Sequence, residues 1–220
     1  MPKRCPAPIN VFKGRKDILE LLHQCFPPSL TSVESGKQRI FVLYGLGGGG
    51  KTQIALKFVK ECQNETQPQR CALSVLTGGS HVRVECPCAT SFSEVFFVDA
   101  STDETITLDL KNIASQKKIG NKWDDAITWL AGERNDWLLL FDSADDPNLN
   151  LSKFFPSCDH GNILITSRNR EIRIHAPRSN CKVGEMTPEH ARHLLFEIID
   201  EVITNETVIQ ADAIVKVLVY

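Results

Sequence analysis

No apolar run in the sequence is longer than a strand, and the N-terminus, MPKRCPAPIN, has two basic residues but no apolar stretch of the kind a secretory signal needs. Neither a membrane span nor a signal peptide is expected, and an intracellular, cytoplasmic location is the default. Net charge is scarce as well. The 25 Lys and Arg stand against 27 Asp and Glu, so a general affinity for nucleic acid or for an anionic membrane is not implied. Eight cysteines are scattered from Cys5 to Cys181 in a chain without secretory features, which reads as free thiols rather than a disulfide framework. Cys86-Pro87-Cys88 is the one close pair, and it lacks the second pair or His cluster that would complete a zinc site. A chain of 220 residues suits one α/β domain and would be cramped as two.

What is present is concentrated in Gly45 to Thr52, GLGGGGKT, directly behind the apolar run Ile40 to Tyr44 and ahead of a helical stretch, Thr52 to Glu61. The pattern is G-x-x-x-x-G-K-[ST], the phosphate-binding loop, in the strand-to-helix setting that such a loop requires. Backbone N–H groups must curl around a polyphosphate, and side chains there would block the approach. The expected nucleotide contacts are Gly45, Gly47, Gly48, Gly49, Gly50, Lys51, Thr52 and Gln53. Lys51 would reach the β- and γ-phosphates, Thr52 would offer its hydroxyl to Mg²⁺, and the helix N-terminus would face the anion.

The remaining pattern is that of an open α/β sheet. Residues 1–38 form a lead-in with a short helix whose apolar face is Ile18, Leu21, Leu22 and Cys25, followed by a loop over SLTSVESGKQ. After the phosphate loop, Ile54, Ala55, Phe58 and Val59 recur at helical spacing. The polar patch QNETQPQR leads into residues 71–91, which keep no sustained period and read either as a long β-hairpin or as a disordered excursion. Glu94 to Asp99 is a buried strand. A helix follows, capped by Ser101 or Thr102, with Ile106, Leu108, Leu110 and Ile113 as its apolar side. A second helix, Lys122 to Glu133, would bury Ile127, Trp129 and Leu130.

Trp137 to Asp142 is apolar without alternation, the signature of a strand covered on both faces, and it ends in a carboxylate. Beside a phosphate loop such an Asp holds Mg²⁺, because a hard cation takes oxygen ligands. Asp145 or Asp146 either orients an attacking water or begins the next turn. Residues 161–168 give another strand whose end carries Arg168, where a sheet of this kind presents ligands, so Arg168 is a candidate sensor of the γ-phosphate. Lys182 to Met186 reads as an edge strand. Two helices close the sequence, the first starting at Thr187-Pro188-Glu189 with Ala191, Leu194, Leu195 and Ile198 on one face, the second from Val208 to Tyr220.

IFVLYGLGGGGKTQIALKF, FFVDAS, WLLLFDSADDP and GNILITSRNR together resemble the NB-ARC domain of the STAND class of signalling NTPases, particularly its fungal receptor-like members. The resemblance runs from Phe12 onward, residues 71–91 excepted. It implies that VFKGR lines the adenine side, making Phe12, Gly14 and Arg15 adenosine contacts, that Asp142 is the Mg²⁺ aspartate and that Arg168 is the sensor arginine. It further implies a switch held closed by ADP and opened by ATP, with self-association through C-terminal domains; the family's helical lid would begin where this sequence ends at Tyr220. Gly49 fills a slot that usually carries a larger residue, at about 1 kcal/mol of extra ordering cost. Ser143 stands where many relatives have Asp or Asn, so slow or absent hydrolysis is expected. Removing residues 71–91 would join QPQR to FSEVFFVDAS as in relatives, which points to a retained short intron in the gene model.

The expectation is therefore an α/β P-loop NTPase three-layer sandwich with a mostly parallel five-stranded sheet, the phosphate-loop strand lying between the Asp142 and Arg168 strands. Residues 39–220 would form the nucleotide-binding domain, a weak ATPase at most, binding ATP or ADP with Mg²⁺. A small phosphotransferase using the same loop, or a fragment that binds nothing, are the alternatives; the first would need an acceptor pocket, for which only Arg170 to Lys182 offers basic residues.

Overall fold

The computed structural model describes residues 5–27, 37–64, 73–77, 80–84, 92–199 and 204–219. Residues 29–36 of the expected loop over 29–38, residues 65–70 of the polar patch at 63–70 and Cys86-Pro87-Cys88 lie outside the described residues, while Gln63 and Asn64 end α2. In order the chain forms α1 (Lys16–Cys25), β1 (Arg39–Tyr44), α2 (Lys51–Asn64), β2 (Leu73–Thr77), β3 (Ser80–Val84), β4 (Glu94–Asp99), α3 (Asp103–Lys117), α4 (Trp123–Gly132), β5 (Trp137–Asp142), β6 (Asn162–Ser167), β7 (Asn180–Lys182), α5 (Pro188–Ile199) and α6 (Asn205–Val219). Five strands make a parallel sheet in the order β4-β5-β6-β1-β7. Strands β2 and β3 pair antiparallel as a separate hairpin, so this part of residues 71–91 takes the hairpin alternative.

The unalternating strands are apolar because both of their faces are covered. Phe41, Leu43, Leu138, Leu140 and Leu164 pack under α1 and α2 with Ile18, Leu22, Ile54 and Phe58. Val42, Leu139, Phe141, Ile163 and Ile165 pack on the opposite side with Ile106 and Leu110 of α3 and Ala126 and Leu130 of α4. Each fully buried side chain of this size contributes about 1.5–3 kcal/mol of transfer free energy. Among the described residues, no helix is long and apolar enough to cross a membrane.

The order of the central strands differs from the expected one. It is β6, the Arg168 strand, that lies in the middle, paired with β1 on one side and β5 on the other, rather than β1 lying between the other two. Burial gives the physical reason. Every residue of β6 is buried, Asn162, Thr166 and Ser167 included, as befits a strand with a neighbour on each side, and its polar side chains bond to β5 and the residues flanking it. Asn162 Nδ2 donates to the Asp136 carboxylate and to the Trp137 carbonyl, while Thr166 and Ser167 bond toward the end of β5.

Most of the expected helix faces are buried, Ile18 and Leu22 in α1 and Ile106, Leu110 and Ile113 in α3, with a misjudged position in each of α1, α3 and α5. Leu108, Leu21 and Ile198 are exposed, whereas Ala114, Leu19 and Phe196 are buried. In α3 the inward position beside Leu110 is taken by Asp109, whose carboxylate accepts the Asp99 N–H at 3.0 Å and so secures the end of β4. Thr102 is the cap: its hydroxyl accepts from Thr105 N, and the Thr105 hydroxyl accepts from Thr102 N. The edge strand is β7, Asn180–Lys182, which shares only Lys182 with the expected span from Lys182 to Met186.

Truncation of a core side chain should separate cleanly from truncation of the misjudged one. Leu139→Ala, in the fully buried centre of β5, is expected to cost about 3 kcal/mol, or about 9 °C in melting temperature for a domain of this size. Leu108→Ala should stay within about 0.5 kcal/mol of the unsubstituted chain. Paired thermal melts check both.

Candidate functional site

The carboxyl ends of the strands meet at one edge, where Asp99 is in register with Asp142 and Tyr44 with Ser167. The glycine loop, Gly45 to Gly50, crosses this edge between β1 and α2. It is tied down at its start, where Gly45 N donates to the Ser167 carbonyl at 3.1 Å, and at its end, where Gly50 O accepts the Ile54 N–H of the first helical turn. Gly45, with φ of 146°, passes so close to the residue after β7 that a Cβ would run into the Val183 carbonyl oxygen. Gly48 has φ of 77° but open space around it.

Lys51 curls back over the loop, its ammonium donating to the carbonyls of Gly45 at 2.9 Å and Leu46 at 2.7 Å. Burial pulls its pKa below the ordinary lysine value; the Asp145 carboxylate opposes that most, Arg168 adds to it, and Asp142 opposes it again. Thr52, one residue on, donates its hydroxyl to Asp142 Oδ1 at 2.7 Å. The same oxygen accepts from the Thr166 hydroxyl at 2.6 Å, and Thr166 Oγ1 in turn accepts the Ser143 N–H at 2.9 Å. Ser143 is held with φ of 62°, an uncommon conformation outside glycine.

The two downstream aspartates part company. Asp146 performs turn chemistry, its carboxylate accepting from Asn148 N at 2.8 Å. Asp145 instead pairs with Arg168, accepting both its backbone N–H and its Nε–H at 2.6 Å. Arg168 stands at the loop's rim, with Cδ 3.6 Å from where a Cβ on Gly47 would be.

A cleft of about 1030 Å³ opens beside the loop. Its lining combines glycine backbone, Gln53, Arg168, Arg170 and Lys182 with an apolar set, Ile9, Val11, Phe12, Met186 and Leu194. The lead-in reaches it by three ties. Gln53 Oε1 accepts Ile9 N at 2.9 Å, and Arg15, in a left-handed conformation with φ of 61°, donates Nη2 to the Gly184 carbonyl at 2.6 Å and to Gly49 O at 3.5 Å. Gly14 sits against His190 of α5, where a Cβ would come within 2.8 Å of the ring nitrogen. Phe12 and Arg15 thus line the cleft, while Gly14 shapes the turn between them and α5.

The residues fit a nucleotide and Mg²⁺. A hydroxyl and a carboxylate already in contact, Thr52 and Asp142, are the hard oxygen donors such an ion takes, and the cleft combines cationic with apolar side chains. The sequence reading placed Thr166, the 183–186 segment and Leu194 in strands and a helix but not at the site. Thr166 left a usable signal, a hydroxyl directly after the apolar run Ile163 to Ile165 and two residues before Arg168.

No protein-family model matches the sequence, and no curated protein matches it. Solved structures match it in shape. Cdc6p from Pyrobaculum aerophilum superposes with a TM-score of 0.52 at 14% identity, over 90% of this chain and 51% of that one. A Walker-type ATPase of Pyrococcus abyssi gives 0.50 at 12% identity, over 96% of this chain and 65% of its own. A STAND protein with a tetratricopeptide repeat sensor from Pyrococcus horikoshii gives 0.46 at 17% identity, over 95% of this chain and 28% of that one. The chain therefore spans from about a quarter to about two thirds of these proteins' lengths. The fold is the three-layer α/β sandwich of the P-loop NTPases.

The two glycine environments predict different costs. Gly45→Ala combines a strained φ with collision against fixed backbone and should lose about 3 kcal/mol, whereas Gly48→Ala, strained but unobstructed, should lose about 1–2 kcal/mol. Denaturant titration of both variants measures the order.

Proposed function

We infer that this chain is the ADP- and ATP-binding switch domain of a STAND signalling ATPase of the NB-ARC type. The observation that supports it most is the 2.7 Å contact between Thr52 and Asp142 at the mouth of a glycine loop crossed by Lys51. The loop's backbone N–H groups and the start of α2 bind the phosphates. Lys51, held by two neutral carbonyls, exchanges them for phosphate oxygens at little cost. Thr52 and Asp142 would hold Mg²⁺, which when bound neutralises charge on the β- and γ-oxygens. Arg168 reads the outermost phosphate from the end of β6.

The base lies against the apolar lining of Ile9, Val11, Phe12, Met186 and Leu194. Arg15 ties that lining to the phosphate loop through Gly49 and to the segment leading into α5 through Gly184. This link is the route by which an occupied loop would be felt by α5 and α6, and beyond them by the lid and self-associating domains that the resemblance implies. Residues 39–220 form the switch domain in this reading, residues 1–38 its lead-in and residues 71–91 an insertion in it, within an intracellular protein. Hydrolysis is slow, because the Asp145 carboxylate is committed to Arg168 and that of Asp146 to its own turn.

Thermal unfolding with Mg²⁺-ADP or Mg²⁺-ATP tests the reading. A ligand at a hundred times its dissociation constant adds about 2.7 kcal/mol, or about 5–10 °C here. The shift should appear in the unsubstituted chain and vanish in Lys51→Ala. Equal melting of both proteins under all conditions would refute it.

A further inference from the structure

Asp145 has no role in the binding chemistry above, yet it is the better-buried member of the ion pair at the loop's rim, its side chain 22% exposed against 65% for Arg168. Its Oδ1 accepts the backbone N–H of Arg168 and its Oδ2 accepts Nε–H, both at 2.6 Å. One carboxylate thus grips the arginine at both ends of its aliphatic stem. The stem is fixed in between, with Cδ alongside Gly47 of the phosphate loop. Neither bond uses Nη1 or Nη2, the end of the guanidinium whose fork matches a phosphate.

The carboxylate stands on a firm base. Asp145 N donates to the Ser143 carbonyl at 2.8 Å, and the preceding residue, Ala144, is bonded on both sides to β6, through Thr166 O and the Ser167 hydroxyl. Asp145 therefore moves with the sheet, and it transmits the sheet's rigidity to a side chain that solvent would otherwise leave to sample many rotamers.

The geometry points to Asp145 as a positioning residue that aims Arg168 at the terminal phosphate and so sets the chain's preference for a nucleoside triphosphate over a diphosphate. This rests on the nucleotide-binding reading above. Plain electrostatics would act with the opposite sign. A carboxylate near the phosphates repels them, so its removal would favour the triphosphate, which carries the extra negative charge. Aiming predicts that removal disfavours it.

The test is calorimetric titration of the chain with Mg²⁺-ATP and with Mg²⁺-ADP, in the unsubstituted protein, Asp145→Asn, Arg168→Ala and the double variant. The readout is the ratio of the two dissociation constants. The ATP preference is expected to fall about tenfold in Asp145→Asn, by a similar factor in Arg168→Ala and no further in the double variant, with ADP affinity changed by less than about threefold. Arg168→Lys provides a second reading at an exposed position, since it keeps the charge but has neither the Nε–H to be gripped nor the fork. It too should lose the preference. An ATP preference that is unchanged or raised in Asp145→Asn, or retained in Arg168→Lys, overturns the proposal. An unsubstituted chain that binds neither nucleotide overturns the nucleotide-binding reading itself, and the aiming role with it.

Discussion

A single carboxylate oxygen holds the working edge of this domain together. Asp142 Oδ1 accepts from Thr52 at the start of α2 and from Thr166 near the end of β6, so that β5, β6 and the helix behind the phosphate loop converge on it. Two hydroxyl donors saturate that one oxygen, about half of the acceptor capacity of a part-buried carboxylate, and the Ser143 hydroxyl reaches the other oxygen at 3.5 Å. They also fix where the phosphate loop can sit, since Thr52 is one residue beyond Lys51. The strand order serves the same end: with β6 between β1 and β5, Thr166 stands next to Asp142, and the Ser167 carbonyl reaches Gly45 at the loop's first residue.

Strain gathers around this point. Ser143 takes a left-handed conformation directly after Asp142, and Arg15 does so beside the cleft. Each costs on the order of 1–2 kcal/mol for a side-chain-bearing residue, and each is held by bonds that would otherwise be unmade: Ser143 N to Thr166, Arg15 Nη2 to Gly184. The two faces of the sheet supply the stability that such local costs draw upon. Their cores are distinct, α1 with α2 on one side and α3 with α4 on the other, so the loop edge is carried by a doubly covered and stiff sheet.

Much of this was legible in the sequence, and the parts that were not share a cause. GLGGGGKT behind an apolar run announces its loop because backbone approach to phosphate tolerates few residue types, and WLLLFD announces a covered strand ending in a carboxylate at the loop's edge. Strand order is different in kind, since IFVLY and NILITS are both apolar and period alone does not rank them; the polar ends of β6, Asn162 and Thr166, held the information, but only as partners. Helix faces went astray at Leu108 and Leu21 because the buried stripe includes Ala114 and Asp109 in one helix and Leu19 in the other, and a polar residue facing inward misleads any count of apolar spacing. Asp145 and Asp146 could not be distinguished from composition. The structure separates them by what each carboxylate bonds, Asp146 its own turn and Asp145 the arginine across the edge.

The account stands on Thr52 and Asp142 forming one site for a phosphate-bound metal ion. Its most direct test is the Mg²⁺ dependence of ATP binding, measured by calorimetry with and without the ion in the unsubstituted chain and in Asp142→Asn. The account predicts that Mg²⁺ tightens ATP binding at least about tenfold in the unsubstituted chain and has little effect in the variant. Binding that is indifferent to Mg²⁺ in both proteins, or equally enhanced by it in both, would contradict it.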